Sequence, residues 1–62
     1  MEIKNGSRWS GAENTTFIVI GSMVLEGNEW IYYRAENPKD HMPEEFSCYK
    51  ESFLSRFTPL PE

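Results

Sequence analysis

One cysteine, Cys48, and one histidine, His41, are all the thiol and imidazole metal ligands that this sequence offers. A lone cysteine excludes an internal disulfide, and no Cys/His set has the spacing of a structural zinc site. No apolar run approaches the roughly 18 residues that a membrane-spanning helix needs. The opening stretch, MEIKNGSRWSG, has no apolar core of the secretory-signal type, so the expected location is the cytoplasm. On that expectation the acceptor patterns at Asn5-Gly6-Ser7 and Asn14-Thr15-Thr16 are chance matches for glycosylation. Internal repeats and low-complexity segments are absent. Stability therefore has to come from packing.

Positive charge is also scarce: six Lys and Arg stand against ten Asp and Glu, a net charge of −4 over 62 residues. The excess is local. From Glu26 to Glu45 there are six acids (Glu26, Glu29, Glu36, Asp40, Glu44, Glu45) and two bases (Arg34, Lys39), whereas the rest of the chain holds four of each. Such a field disfavours a phosphate-rich partner on that side and favours a protein with a basic surface. Nucleic acid is the less favoured partner.

A chain of this length forms one domain, 1–62, with one small core, and it buries only about 60% of its unfolded surface. Hydrophobic content of 39% and charged content of 26% suit a foldable domain. Two tryptophans, three tyrosines and four phenylalanines supply large apolar loads for little backbone entropy.

The stretch Thr16 to Ala35 (TFIVIGSMVL, EGNE, WIYYRA) is the organising element. Its two β-branched and aromatic runs flank Gly27-Asn28, a pair suited to a two-residue II′ turn, and predict a hairpin. With that turn, Ile18, Ile20, Val24, Ile31, Tyr33 and Ala35 share an uncharged face expected to be the core. Phe17, Val19, Met23, Leu25, Trp30, Tyr32 and Arg34 share the other face. That second face is too apolar to be simply wet, and other segments or a partner should cover it. Gly21 marks the place where a bulge would exchange the two sets beyond it.

Around the hairpin, Ser7 to Ser10 reads as a short strand anchored by a buried Trp9, and SGAENT as a loop. ENPKDHMPEE, 36–45, has two prolines and dense charge and reads as a long excursion. Phe46 to Tyr49 is a third main strand with Phe46 and Cys48 on one face. Lys50 to Arg56 suits one helical turn, with Ser52 as its cap. Phe57 to Leu60 closes the chain as a short strand, with Pro59 confined to an edge or an end. Five short strands, one long hairpin and a helical turn before the last strand are the organisation of an SH3-like barrel, whose curvature would cover both hairpin faces.

FIVIGSMV, WIYYR and EFSCYKESFLSRFTPL, separated by an acidic loop, resemble small uncharacterised SH3-like barrel proteins encoded by bacteriophages and prophages. Phe46, Cys48, Phe53, Arg56, Phe57 and Thr58 carry most of the likeness, which covers about two thirds of the chain. It implies a small SH3-like fold and a phage or prophage setting. It carries over no catalytic residue.

Reactive constellations are wanting. Glu44 with Glu45, and Glu26 with Glu29, are carboxylate pairs without a pocket to perturb them, so no catalytic residue, metal or cofactor is expected. His41 beside Asp40, Glu44 and Glu45 reads as a solvated loop histidine, and Cys48, in step with Phe46, as a structural thiol. The pattern that stands out is Met23, Trp30 and Tyr32 on the apolar second face, together with Glu36, Asp40, Glu44 and Glu45. Aromatics and methionine concentrate binding energy at interfaces. The expectation is a non-enzymatic protein-binding module, acting as an acidic modulator or inhibitor of a host protein. The alternatives are a nucleic-acid module using Arg8, Arg34, Lys50 and Arg56, and a self-associating structural protein whose second face is the dimer contact.

Overall fold

The computed structural model describes residues 2–61. Five antiparallel strands form one sheet: β1 (Arg8–Ser10), β2 (Thr16–Leu25), β3 (Asn28–Ala35), β4 (Phe46–Tyr49) and β5 (Thr58–Pro59). Their order is β4-β3-β2-β1-β5. A 3-10 turn (Ala12–Asn14) joins β1 to β2, and a helix, α1 (Lys50–Arg56), lies between β4 and β5. The 36–45 excursion contains no strand or helix.

Closure into a barrel, expected from the strand count, does not occur. The sheet is open, with β4 and β5 as its two edges. The physical reason lies in β5: it is two residues long, and Pro59 has no backbone N–H to give to a ladder. Instead α1 packs across the inner face, inserting Phe53 between Trp9 and Tyr33. The helix runs for seven residues rather than a single turn. Ser52 is inside it and caps nothing; the helix starts after Tyr49 without a side-chain cap, and Glu51 supplies the acid that a first turn favours.

The hairpin turn sits one residue earlier than Gly27-Asn28. Glu26 and Gly27 have φ of 50° and 82°, the left-handed pair of a type I′ turn, and Leu25 pairs with Asn28. This turn matches the right-handed twist of a long two-stranded ribbon. Because Glu26 occupies a conformation that costs a side-chain-bearing residue free energy, Glu26→Asn is expected to stabilise the fold by about 0.5–1 kcal/mol. Urea unfolding measures it. No gain or a loss would place the turn at Gly27-Asn28 instead.

The register slips between Val19 and Gly21, where Ile20 is the extra residue of a bulge. Before the bulge, Phe17 and Val19 pair with Ala35 and Tyr33 and point inward; Val19 is 1% exposed. Ile20, expected in the core, is 41% exposed, and Ile18 pairs with Arg34 on the outer face. Val24, also expected in the core, is 69% exposed because it pairs with Glu29 at the hairpin tip, where nothing covers it. Ile31, Tyr33 and Ala35 are buried as expected.

The core is thus Ile3, Trp9, Val19, Ile31, Tyr33 and Phe53, with Phe17, Phe46, Cys48, Leu54 and Phe57 packed at its margin. Trp9 is nearly fully buried and satisfies its indole N–H by donating to Ser7 Oγ at 2.9 Å. Among the described residues no buried side-chain nitrogen or oxygen lacks a partner.

Candidate functional site

The register assembles a patch on the outer face of the hairpin. Met23 and Tyr49 flank Trp30 on the neighbouring strands, so the three side chains form one row across β2, β3 and β4. Trp30 meets Tyr49 edge to face, with centroids 4.4 Å apart. Tyr32, in the next outward position on β3, donates its hydroxyl to Met23 Sδ at 3.1 Å. Met23, Trp30 and Tyr32, singled out from the sequence, are therefore brought together. Tyr49 completes the cluster and had no local signal of its own, because its role depends on a strand pairing between segments far apart in sequence.

Ile20, Met23, Val24, Leu25 and Tyr49 are the large apolar side chains exposed to solvent among the described residues. Met23, Leu25 and Tyr49 share the outer face, whereas Val24 is on the Ile31 side of the hairpin tip. Scattered apolar residues are normal on a surface, but a contiguous group is the usual mark of an interaction site.

The acids proposed with this patch lie elsewhere. Residues 36–45 join Ala35 to Phe46, and Phe46 pairs with Tyr33, whereas Trp30 pairs with Tyr49 at the other end of the ladder. Ala35 is five strand rises from Trp30, roughly 17 Å. Asp40, Glu44 and Glu45 are exposed on this loop, and Glu36 accepts an ion-paired hydrogen bond from Arg8 Nη2 at 2.8 Å. At the Trp30 end the acids are Glu26 and Glu29, the latter 3.8 Å from Lys50 Nζ. His41 is exposed with φ of 70°, and no group of three or more potential ligands converges on a metal position among the described residues.

The four bases of the nucleic-acid alternative are divided. Ile18 pairs with both Arg8 and Arg34, which places these two arginines on the outer face, in line beyond Tyr32. Lys50 is at the hairpin-tip end, and Arg56 is on the opposite, concave side.

That concave side holds an open trough of about 690 Å³ between the 11–15 loop and the end of α1. Phe17, Tyr33, Phe46 and Phe57 line it, in mutual edge-to-face or stacked contact at centroid distances of 5.1–5.8 Å. Gly11 is required here: a Cβ on it would come within 2.7 Å of Phe17 and 2.8 Å of Phe57. Arg56 Nη2 donates to Tyr33 Oη at 3.2 Å, and the guanidinium carbon lies 5.3 Å from the Phe57 ring centroid. Cys48 and Tyr33 beside it strengthen the guanidinium's hold on its proton.

Burial pushes the Tyr33 phenol above its usual value of 10.0, with Cys48 adding to the rise and Arg56 opposing it. The unfolded state then releases the tyrosine proton first, so this contribution to stability is complete below about pH 10 and is lost as pH rises through the higher folded value. Alkaline unfolding should show the loss. Tyr33→Phe should remove that part of the pH dependence, and an unchanged alkaline limb in the variant would count against it.

Comparison with protein-family models, with curated proteins and with solved structures finds no match.

Proposed function

We propose that this chain is a non-enzymatic protein-binding module of the small phage and prophage type, engaging its partner through the outer face of the hairpin. The observation that carries the reading is the contiguous outer-face cluster in which Met23 and Tyr49 are exposed and Trp30 and Tyr32 are half-buried beside them, extended by Leu25. Aromatic anchors held rigid by their neighbours lose little side-chain entropy on binding. An SH3-like arrangement, left open at the β4 and β5 edges, is the finer fold reading; the long hairpin, the helix before the last strand and the return of β5 to β1 support it. The exposed acids Asp40, Glu44 and Glu45 favour a partner with a basic surface at the far end of β3.

Affinity capture from a bacterial lysate tests the proposal. Wild-type protein should recover a partner that Met23→Ser and Tyr49→Ser lose and that Glu44→Lys recovers less well. Equal recovery by all four would sink it. A second reading has one observation in its favour, the alignment of Arg8 and Arg34 beside Tyr32, which resembles a stacking platform for single-stranded nucleic acid. The net charge of −4 and the Arg8–Glu36 ion pair stand against it. Salt-sensitive binding of a labelled oligothymidine, weakened by Arg34→Ala, would make it the better account.

A further inference from the structure

We infer that the aromatic trough on the concave side is a second docking site, for a short extended segment of a partner protein that presents a carboxylate to Arg56 between apolar side chains. The site is separate from the outer hairpin face. Either can fail without the other.

Arg56 is the one base in the lining, and it is positioned rather than loose. Tyr33 Oη holds one side of the guanidinium, and the Phe57 face lies beneath it. Among the described residues no carboxylate is within ion-pair distance of Arg56; the ion pairs found are Arg8–Glu36 and Lys50–Glu29. A guanidinium fixed on one edge keeps its remaining N–H donors in a planar fork that matches a carboxylate. Beside it, Phe17, Phe46, Phe57 and Met42 provide apolar floor and wall. The acid in the lining is Glu13, so the rest of the occupant should be apolar or basic.

Shape decides between a small molecule and a chain. Small-molecule sites commonly enclose 70–90% or more of their ligand. This trough is open along its length, and an extended segment of a few residues fits it better. Its walls are also preset: the aromatic rings lock one another, and the loop on one side holds Glu13 at φ of 56°. Side-chain-bearing residues in that conformation persist only where the surroundings hold them, and they concentrate at ligand clamps.

The test is an amide-shift titration of labelled protein with a pool of acetyl-X-Glu-X-amide peptides, X being Leu, Phe, Pro or Val, beside the same pool with Gln in place of Glu. The expected shifts fall on Gly11, Phe17, Met42 and Phe57, with half-saturation about tenfold lower for the Glu pool. Arg56→Gln should bring the two pools together while leaving the rest of the spectrum dispersed. Tyr33→Phe, which keeps the ring and frees the guanidinium, should narrow the gap. Equal half-saturation in the wild type, shifts confined to Met23, Trp30 and Tyr49, or no shifts at millimolar peptide would each overturn the inference.

Discussion

Phe53→Ala should leave the protein unfolded or nearly so at 25 °C. Phe53 is 0% exposed and is the side chain by which α1 fastens to the sheet, touching Trp9 at 5.0 Å, Tyr33 at 5.3 Å and Phe57 at 4.6 Å between ring centroids. Phenylalanine-to-alanine changes in cores cost about 3–5 kcal/mol. At about 0.05–0.15 kcal/mol per residue, a chain of this length has roughly 3–9 kcal/mol in all. The cavity cannot be refilled cheaply, because Trp9 and Tyr33 are held by the sheet and Phe57 by its ring contacts with Phe17 and Tyr33. Circular dichroism and tryptophan fluorescence during urea unfolding would measure the loss; Phe53→Leu, which keeps most of the volume, should remain folded. A cost below about 1 kcal/mol for the alanine variant would mean that α1 does not seal the core.

Ile31→Ala and Ile20→Ala should differ sharply, although both isoleucines come from the same hairpin. Ile31 is fully buried at the centre of β3, between Ser22 and Cys48 on its neighbours, and its truncation should cost about 2–5 kcal/mol. Ile20 is the bulged residue, 41% exposed, and its truncation should cost less than about 1 kcal/mol. Val19→Ala should follow Ile31 rather than its neighbour. Comparable losses at 20 and 31 would mean that β2 has no bulge and that its faces are reversed.

These two isoleucines also mark how far the chain could be read without coordinates. Tyr33, Ala35 and Ile31 were legible as core because β3 alternates without interruption. Trp9, the strand Phe46–Tyr49 and the helix Lys50–Arg56 were legible because composition and local period agree there. On β2 the pattern TFIVI is apolar at every position but the first, so alternation alone could not say which set faces in, and one bulge next to Gly21 decides it. The turn was displaced because Glu26 takes a left-handed conformation that its side chain disfavours, whereas Gly27-Asn28 looked the cheaper pair. Barrel closure depended on the length of β5, which sequence pattern fixes poorly for two residues ending in proline.

The candidate sites divide in the same way. Met23, Trp30 and Tyr32 could be grouped from the hairpin alone, since their proximity follows from one local pairing. Tyr49 and the trough could not. They arise where β4, α1 and the 11–15 loop come together, and that arrangement is set by burial of Phe53 rather than by any spacing. Proximity in sequence groups the acidic loop with Trp30, yet strand geometry carries the two to opposite ends of β3.

A photo-reactive benzoylphenylalanine in place of Met23, irradiated in living bacterial cells, tests the binding role of the hairpin face most directly. Ser55, exposed on α1 away from the hairpin's outer face, is the control position. The expected result is a discrete heavier adduct from position 23 that contains a second protein, is absent from position 55, and disappears when Tyr49→Ser is added. No adduct from position 23, or the same adducts from both positions, would contradict the proposal that this face is the interface.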